Sequence, residues 1–299
     1  MSKLKLSAIP DKYKGIILII ASAFCFTVMN SFVRLAGDLP SIQKSFFRNA
    51  IAFAFALVVL LKSGKTLLPS KKSNIGVLIL RATCGTIGIL CNFYAVDNLV
   101  LSDATMLSKM SPFFAVVFSL IFLREKTTLV QTFGVIIAFI GSLFIIKPTF
   151  ANMELIPSVI GLIGGIAAGA AYTAVRCLGL RGEKGSYIVF FFSGFSCLIT
   201  LPFLILGFKE MTPEQWLILI IAGLAGAGGQ FTITAAYRYA PAREISVYDY
   251  SQIIFAAIFG FFMFGGELPD LLSILGYIII CGMAVGMFIY NNRKSRKNE

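Results

Sequence analysis

The stretch Leu101–Glu125, LSDATMLSKMSPFFAVVFSLIFLRE, decides how the rest of the chain is read. About 22 of its residues form an apolar run long enough to cross a bilayer as a helix. Lys109 and Pro112 nevertheless sit inside it. The run has an echo from Ala240 to Glu267, APAREISVYDYSQIIFAAIFGFFMFGGE. Glu125 and Glu267 close the two copies, and a charge recurs at nearly the matching place, Lys109 in the first and Asp249 in the second. The pattern predicts a doubled bundle of membrane helices whose chemistry lies where the copies face each other.

Composition agrees. Hydrophobic residues make up 58% of the 299 and charged residues only 13%, against roughly 45–50% apolar in soluble domains. So little polar surface cannot clothe a water-soluble globule, and the lipid bilayer is the first partner implied. The net charge of +12 sits in short clusters between apolar spans, which is a topology signal and not a nucleic-acid surface. The six cysteines all fall in apolar spans without a CxxC pair, which reads as small buried packing residues. Histidine is absent, so imidazole metal sites and histidine acid–base catalysis are excluded. No cofactor, no metal and no catalytic residues are expected.

Windows of about 20 apolar residues give ten spans, at 15–35, 41–61, 75–96, 102–123, 128–147, 157–179, 186–207, 214–237, 244–264 and 270–290. Prolines mark most joins, while Pro112 and Pro202 fall inside spans and can bend them. The apolar N-terminal run continues past the mimic cleavage site Ala21-Ser22-Ala23, so it is read as the first span and not as a leader. With the N-terminus inside, eighteen Lys and Arg fall on the inner side, and only Lys147 and Lys209 fall outside. The positive-inside rule therefore predicts two cytoplasmic termini in a multi-pass protein of the bacterial inner membrane.

At a shift of 141 or 142, Arg34 matches Arg176, Gly85 matches Gly226, Gly88 matches Gly229, Gly134 matches Gly276 and Glu125 matches Glu267. Five spans per copy is odd, so the second copy enters the membrane from the opposite side. The fold class expected is an all-α membrane protein of ten transmembrane helices, built as two inverted five-helix repeats over 1–150 and 151–299.

FFRN (Phe46 to Asn49), SPFFAVVFSLIFLRE, the Gly134/Gly141 pair, AYRYAPA (Ala236 to Ala242) and YDYSQIIFAAIFGFFMFGGELPD (Tyr248 to Asp270) together resemble the drug/metabolite transporter superfamily, in its branch of twin EamA-type repeats. The resemblance covers about residues 15 to 290. It implies a central cavity lined by helices one to four and six to nine, with five and ten peripheral, and substrates such as amino acids, nucleotide-like metabolites, vitamins or drugs. One departure stands out: the proline common in the fourth helix of each repeat is kept at Pro112 but replaced by Ile253 in the second copy.

A charge at mid-bilayer costs about 2.5–3.5 kcal/mol on insertion scales, so each deep one needs a reason. Counting residues from the span ends puts Arg48 and Lys109 at one depth and Arg81 and Asp249 at another, with roughly 10 Å between the levels by helical rise. Two readings stay open: a polar pathway, or an Arg81–Asp249 ion pair that fixes packing. Arg81, Gly85, Gly88 and Asn92 share one helical face, as do Ser246, Asp249 and Gln252, the latter flanked by Tyr248 and Tyr250. Asn30 and Gln230 are further lining candidates. Gly161, Gly165 and Gly169 form a tandem GxxxG packing face. Arg34, Arg176 and Arg238, near span ends, read as snorkelling anchors.

The substrate-binding candidates are thus Asn30, Arg48, Arg81, Asn92, Lys109, Gln230, Tyr248, Asp249, Tyr250 and Gln252. Three of the deep charges are positive and one negative. That favours a carboxylate-bearing small molecule, an amino acid or derivative, with its anionic group near Arg48 and Lys109 and any amine toward Asp249 and its tyrosines. Nucleotide-like, vitamin-like and drug substrates come next. An intramembrane enzyme lacks its machinery: no GxGD segment partners Tyr248-Asp249, and no base serves a serine. A channel would need rings of like residues. With no GxxxxGK[ST] motif, energy must come from a proton or ion gradient or from facilitated diffusion. Oligomeric state is not legible.

Overall fold

A computed structural model describes residues 10–63, 68–99, 107–146, 155–264 and 270–297. The described residues form ten principal helices: α1 Asp11–Leu35, α2 Ser41–Lys62, α3 Ile75–Asn98, α4 Ser111–Phe122, α5 Leu129–Ile146, α6 Leu155–Leu180, α7 Gly185–Leu206, α8 Pro213–Tyr239, α9 Ser251–Phe264 and α10 Leu271–Lys297. Eight stretches are long and apolar enough to cross a membrane, Ala242–Met263 among them, and α4 and α5 are shorter apolar helices. Asp103, Lys147 and Glu267 lie outside the described residues.

Local chemistry sets the ends. α1 and α6, the first helices of the two repeats, each run into a glycine with left-handed backbone, Gly37 (φ 68) and Gly182 (φ 79). After α6 the Glu183 N–H reaches back to the Leu178 carbonyl and the Gly182 N–H to Gly179, which satisfies carbonyls the helix leaves open. α8 starts on a capping box, with Thr212 and Gln215 bonded reciprocally and Pro213 in the first turn.

The repeats interlock across a pseudo-two-fold axis. α1 packs on α8 just as α3 packs on α6, α2 meets α7, and α5 meets α10. Small residues make these contacts close. An added Cβ at Gly88 would stand 3.3 Å from the Ala168 nitrogen, and one at Gly229 would strike the Phe26 ring at 2.6 Å. Ser22 Oγ donates to the Gly229 carbonyl at 3.0 Å. The α6 glycines form the expected packing face: Gly165 lies against the Leu107 carbonyl and Gly169 against Phe114 and Ala115. Apolar side chains such as Leu206 and Phe262 cover the outside, the surface a bilayer requires of a multi-pass protein.

Three expectations about elements are corrected. The fourth span is not one helix, because Lys109 and Met110 lie in a turn and α4 begins only at Ser111. Pro112 sits in the first turn of α4, where its missing N–H costs nothing, and not at a mid-helix bend. The ninth span is interrupted as well, by a short helical turn at Ala242–Ile245 and a 3₁₀ segment over Ser246–Tyr250. That interruption supplies without proline the break that Ile253 cannot. The cysteines are half-buried or, at Cys281, exposed, and none is a fully buried packing residue.

Opposite faces of the bundle carry matching loop clamps. On the face where α1 ends, the Gln43 side chain at the start of α2 holds the backbone of Lys209, donating at 2.8 Å and accepting at 2.9 Å. On the other face, Glu183 at the start of α7 accepts from the Ser70 N–H and hydroxyl and from Asn74 Nδ2 at 2.8 Å. Burial alone would raise the Glu183 carboxyl. The bonds from Asn74, Ser70 and Lys184 outweigh it and hold the group below its ordinary range. A depressed carboxylate stabilises the fold above its unfolded pKa, and that contribution is lost as pH falls through the folded value. Glu183→Gln should therefore lower the melting temperature in detergent at neutral pH, with the gap from the unchanged protein closing on acidification below the ordinary carboxylate range. A gap independent of pH would contradict this.

Candidate functional site

The two broken segments bring Lys109 and Asp249 together. Lys109 Nζ lies 3.2 Å from Asp249 Oδ2 and donates to Gln252 Oε1 at 2.6 Å and the Asp249 carbonyl at 3.3 Å. Tyr250 donates its hydroxyl back to the Lys109 carbonyl at 3.2 Å. One repeat supplies the cation and the other the anion. Asp249 thus pairs with Lys109 and not with Arg81. Assigning Lys109 and Asp249 to separate depths fails because the counting assumed unbroken α-helix through both.

Around this pair lies a cavity of about 130 Å³ whose walls come from α1 to α4 and α6 to α9. Eight of the ten candidates line it: Asn30, Arg48, Arg81, Asn92, Lys109, Gln230, Asp249 and Gln252. Tyr248 and Tyr250 do not, since both belong to the 3₁₀ segment and are buried away from the cavity. Their place as cavity aromatics is taken by Phe26, Phe93, Tyr172 and Phe192. Tyr172 escaped the sequence reading, although it is the lone aromatic of α6, within AAGAAYTAVRC.

Arg48 and Arg81 are both more than nine-tenths buried, and among the described residues neither has an acidic partner. Arg48 Nε approaches Met29 Sδ at 3.1 Å and its Nη1 approaches Asn49 Oδ1 at 3.4 Å. Arg81 lays its guanidinium on the Phe192 ring, 4.2 Å from the centroid, and its buried Nε has no hydrogen-bond partner among the described residues. Repeat-related glycines make room for both. A Cβ on Gly85 would collide with Arg81 Nη1, and one on Gly226 would stand 3.1 Å from Arg48 Cγ. The same Cβ would also meet the buried Phe192 ring at 2.7 Å, so Gly85→Ala should displace both Arg81 and the ring it stacks on. Transport should then fall at least about tenfold, the effect of losing roughly 1.4 kcal/mol of binding, with a fall in melting temperature from the overpacked ring. Full activity in Gly85→Ala would contradict the placement of Arg81.

The cavity widens toward the face where α1 ends, into a vestibule of about 410 Å³ that shares Asn30, Asn92, Lys109 and Gln252 with it and reaches Arg34, Ser41 and Lys44. Toward the other face it is sealed. Tyr172 stacks on Tyr237 with centroids 4.9 Å apart. Beyond them Arg176 Nε donates to Glu125 at 2.9 Å, and Arg176 Nη1 to the Arg238 carbonyl at 3.1 Å. Arg124 adopts φ 54 and turns the chain so that Glu125 also accepts from Ser119 Oγ at 2.6 Å. Arg176 is therefore a latch residue and not a snorkelling anchor, and Arg238 packs on Gly179 and Gly185. Arg34, the repeat counterpart of Arg176, lines the vestibule at the opposite face. The cavity thus tapers inward from one face, is closed at the other and is built from both repeats.

Comparison with known proteins agrees with this architecture. A solved crystal structure superimposes with a TM-score of 0.79 over 94% of this chain and 98% of its own, at 14% identity, a likeness of fold alone. The chain is 31% identical over 268 residues to the "Pseudopaline exporter CntI" of Pseudomonas aeruginosa, covering 89% of this chain and 93% of that one. It is 25% identical to the "Riboflavin transporter" of Brucella anthropi, covering 93% and 99%. It is 26% identical to "Solute carrier family 35 member G1" of Homo sapiens, covering 95% and 81%. Residues 13–147 and 156–289 each match the EamA-like transporter family. With two such repeats in one all-helical bundle, the chain belongs to the EamA-like transporter family of the drug/metabolite transporter superfamily.

Proposed function

We propose that this transporter carries a small carboxylate-bearing metabolite, an amino acid or derivative, across the bacterial inner membrane by alternating access, drawing on a proton or ion gradient. The observation that supports this reading is the pair of buried arginines, Arg48 and Arg81, facing one cavity without an acidic partner among the described residues. A buried cation without a counter-charge is costly, and a ligand that supplies the charge gains by relieving it. Because Lys109 is already neutralised by Asp249, the substrate's anionic group belongs with Arg48 and Arg81, not with Arg48 and Lys109. An amine would lie toward Asp249 and Gln252.

A second reading, a planar vitamin-like solute, is favoured by the ring faces of Phe26, Phe93, Tyr172 and Phe192 in the lining and by the riboflavin-transporting relative. Competition of uptake by matched anionic, zwitterionic and cationic analogues tests the choice. Anionic analogues should compete best, and Arg81→Gln should remove that preference. Permanently cationic analogues competing best would overturn the carboxylate reading, and isoalloxazine-type rings competing regardless of charge would support the second. Orientation is tested by cysteine labelling: a thiol at Glu210 should react from outside and one at Lys184 only after permeabilisation. A reversed pattern would place the termini outside.

A further inference from the structure

We infer that the cavity selects a substrate with two separate carboxylates, one for each buried arginine. The inference rests on the carboxylate reading above and goes beyond it in number and placement of charges. The deep charges are Arg48, Arg81, Lys109 and Asp249, all at least nine-tenths buried. The last two cancel at 3.2 Å. Among the described residues two positive charges remain, and neither a zwitterion nor a single carboxylate balances them.

The arginines also come from different walls. Arg48 leaves α2 and lies against Met29 of α1 and Gly226 of α8, with Phe26 6.0 Å from its Cζ. Arg81 stays on α3, between Gly85 and the Phe192 ring of α7. Stacking occupies a face of the Arg81 guanidinium and leaves its edge, where the buried Nε has no hydrogen-bond partner among the described residues. A free guanidinium edge matches the two oxygens of a carboxylate. Arg48 already points Nε at Met29 Sδ and Nη1 at Asn49 Oδ1, so it offers a ligand its charge and its remaining Nη2. Two guanidiniums leaving different helices suit two carboxylates better than one compact phosphate, whose charge would sit at a single point. Asp249, Gln252 and Asn92 lie in the same cavity and offer places for an amine or hydroxyl between the ends.

The test uses the purified full-length protein in detergent and follows thermal stabilisation by succinate, glutarate, adipate and glutamate. The controls are glutaric acid monoamide, inorganic phosphate and choline. At least one dicarboxylate should stabilise, with apparent affinity at least about tenfold above the monoamide, a difference of roughly 1.4 kcal/mol. Arg48→Gln and Arg81→Gln should each bring that ratio toward one. If either variant is poorly folded, Arg48→Lys or Arg81→Lys, which keep the charge and lose the fork, should lower the ratio without abolishing it. Equal stabilisation by the monoamide would overturn the two-carboxylate inference while leaving the carboxylate reading intact. Phosphate stabilising where no dicarboxylate does would overturn it in favour of a single dianionic group. Choline stabilising best would overturn both, and no dicarboxylate binding at all would overturn the inference.

Discussion

Asp249→Asn should reduce gradient-driven accumulation to background and destabilise the protein by about 3–5 kcal/mol, the range found when one partner of a buried ion pair is removed. Lys109 would keep Gln252 Oε1 at 2.6 Å and the carbonyl of residue 249 but lose its counter-charge at the junction of the two repeats. The cost lies in the stranded cation, so a second change should recover it. Lys109→Met with Asp249→Leu removes both charges and should restore most of the stability. It should not restore transport, because the junction then has no charge to exchange with substrate. Melting temperatures and uptake of the single and double variants check both halves. A fully active Asp249→Asn would refute a role for the pair, and a double variant as unstable as the single would refute the stranded-charge account.

The second large effect is expected at the sealed face. Glu125→Gln leaves the Ser119 contact a neutral acceptor and converts the 2.9 Å ion pair with Arg176 into a hydrogen bond from the guanidinium to a neutral amide. The loss is the Coulomb attraction of the second charge in a mostly buried pair, about 1.4 kcal/mol in scale. The conformer open to this face should therefore rise about tenfold relative to the closed one. In a background without native cysteines, Ser111→Cys lines the cavity. An impermeant thiol reagent supplied from the Glu125 face should alkylate it about tenfold faster in the Glu125→Gln variant. An unchanged rate would show that the seal depends on the Tyr172–Tyr237 stack and the packing around it, and would refute the latch.

Much of the architecture was legible because it depends on quantities a sequence carries directly: span length, the fixed shift that relates one copy to the other, and the glycines that let helices touch. Gly85 and Gly226 match in sequence, and each makes room for a cavity arginine. What escaped was backbone geometry inside the two core spans. SVYDY contains neither proline nor glycine, yet it forms a 3₁₀ segment. A 3₁₀ turn rises further per residue than an α-helix does, so it upsets any depth counted along the chain. That error separated Lys109 from Asp249 and offered Arg81 as the partner. It also pointed Tyr248 and Tyr250 at the cavity, when the 3₁₀ turn buries both. Tyr172 was overlooked because an alanine- and glycine-rich helix reads as pure packing surface. The charge summed over the described deep residues does not depend on these errors, since it rests on which residues are deep and not on how they pair.

Central to this account is that Arg48 and Arg81 hold the anionic part of the substrate. The most direct measurement is counterflow of a labelled carboxylate metabolite in liposomes containing the purified protein, compared among the unchanged chain, Arg48→Gln and Arg81→Gln. The unchanged protein should exchange the label saturably. Each variant should raise the half-saturating concentration at least about tenfold, as loss of roughly 1.4 kcal/mol requires, while reconstituting to the same level. Saturable exchange with the same half-saturating concentration in all three proteins would contradict the account.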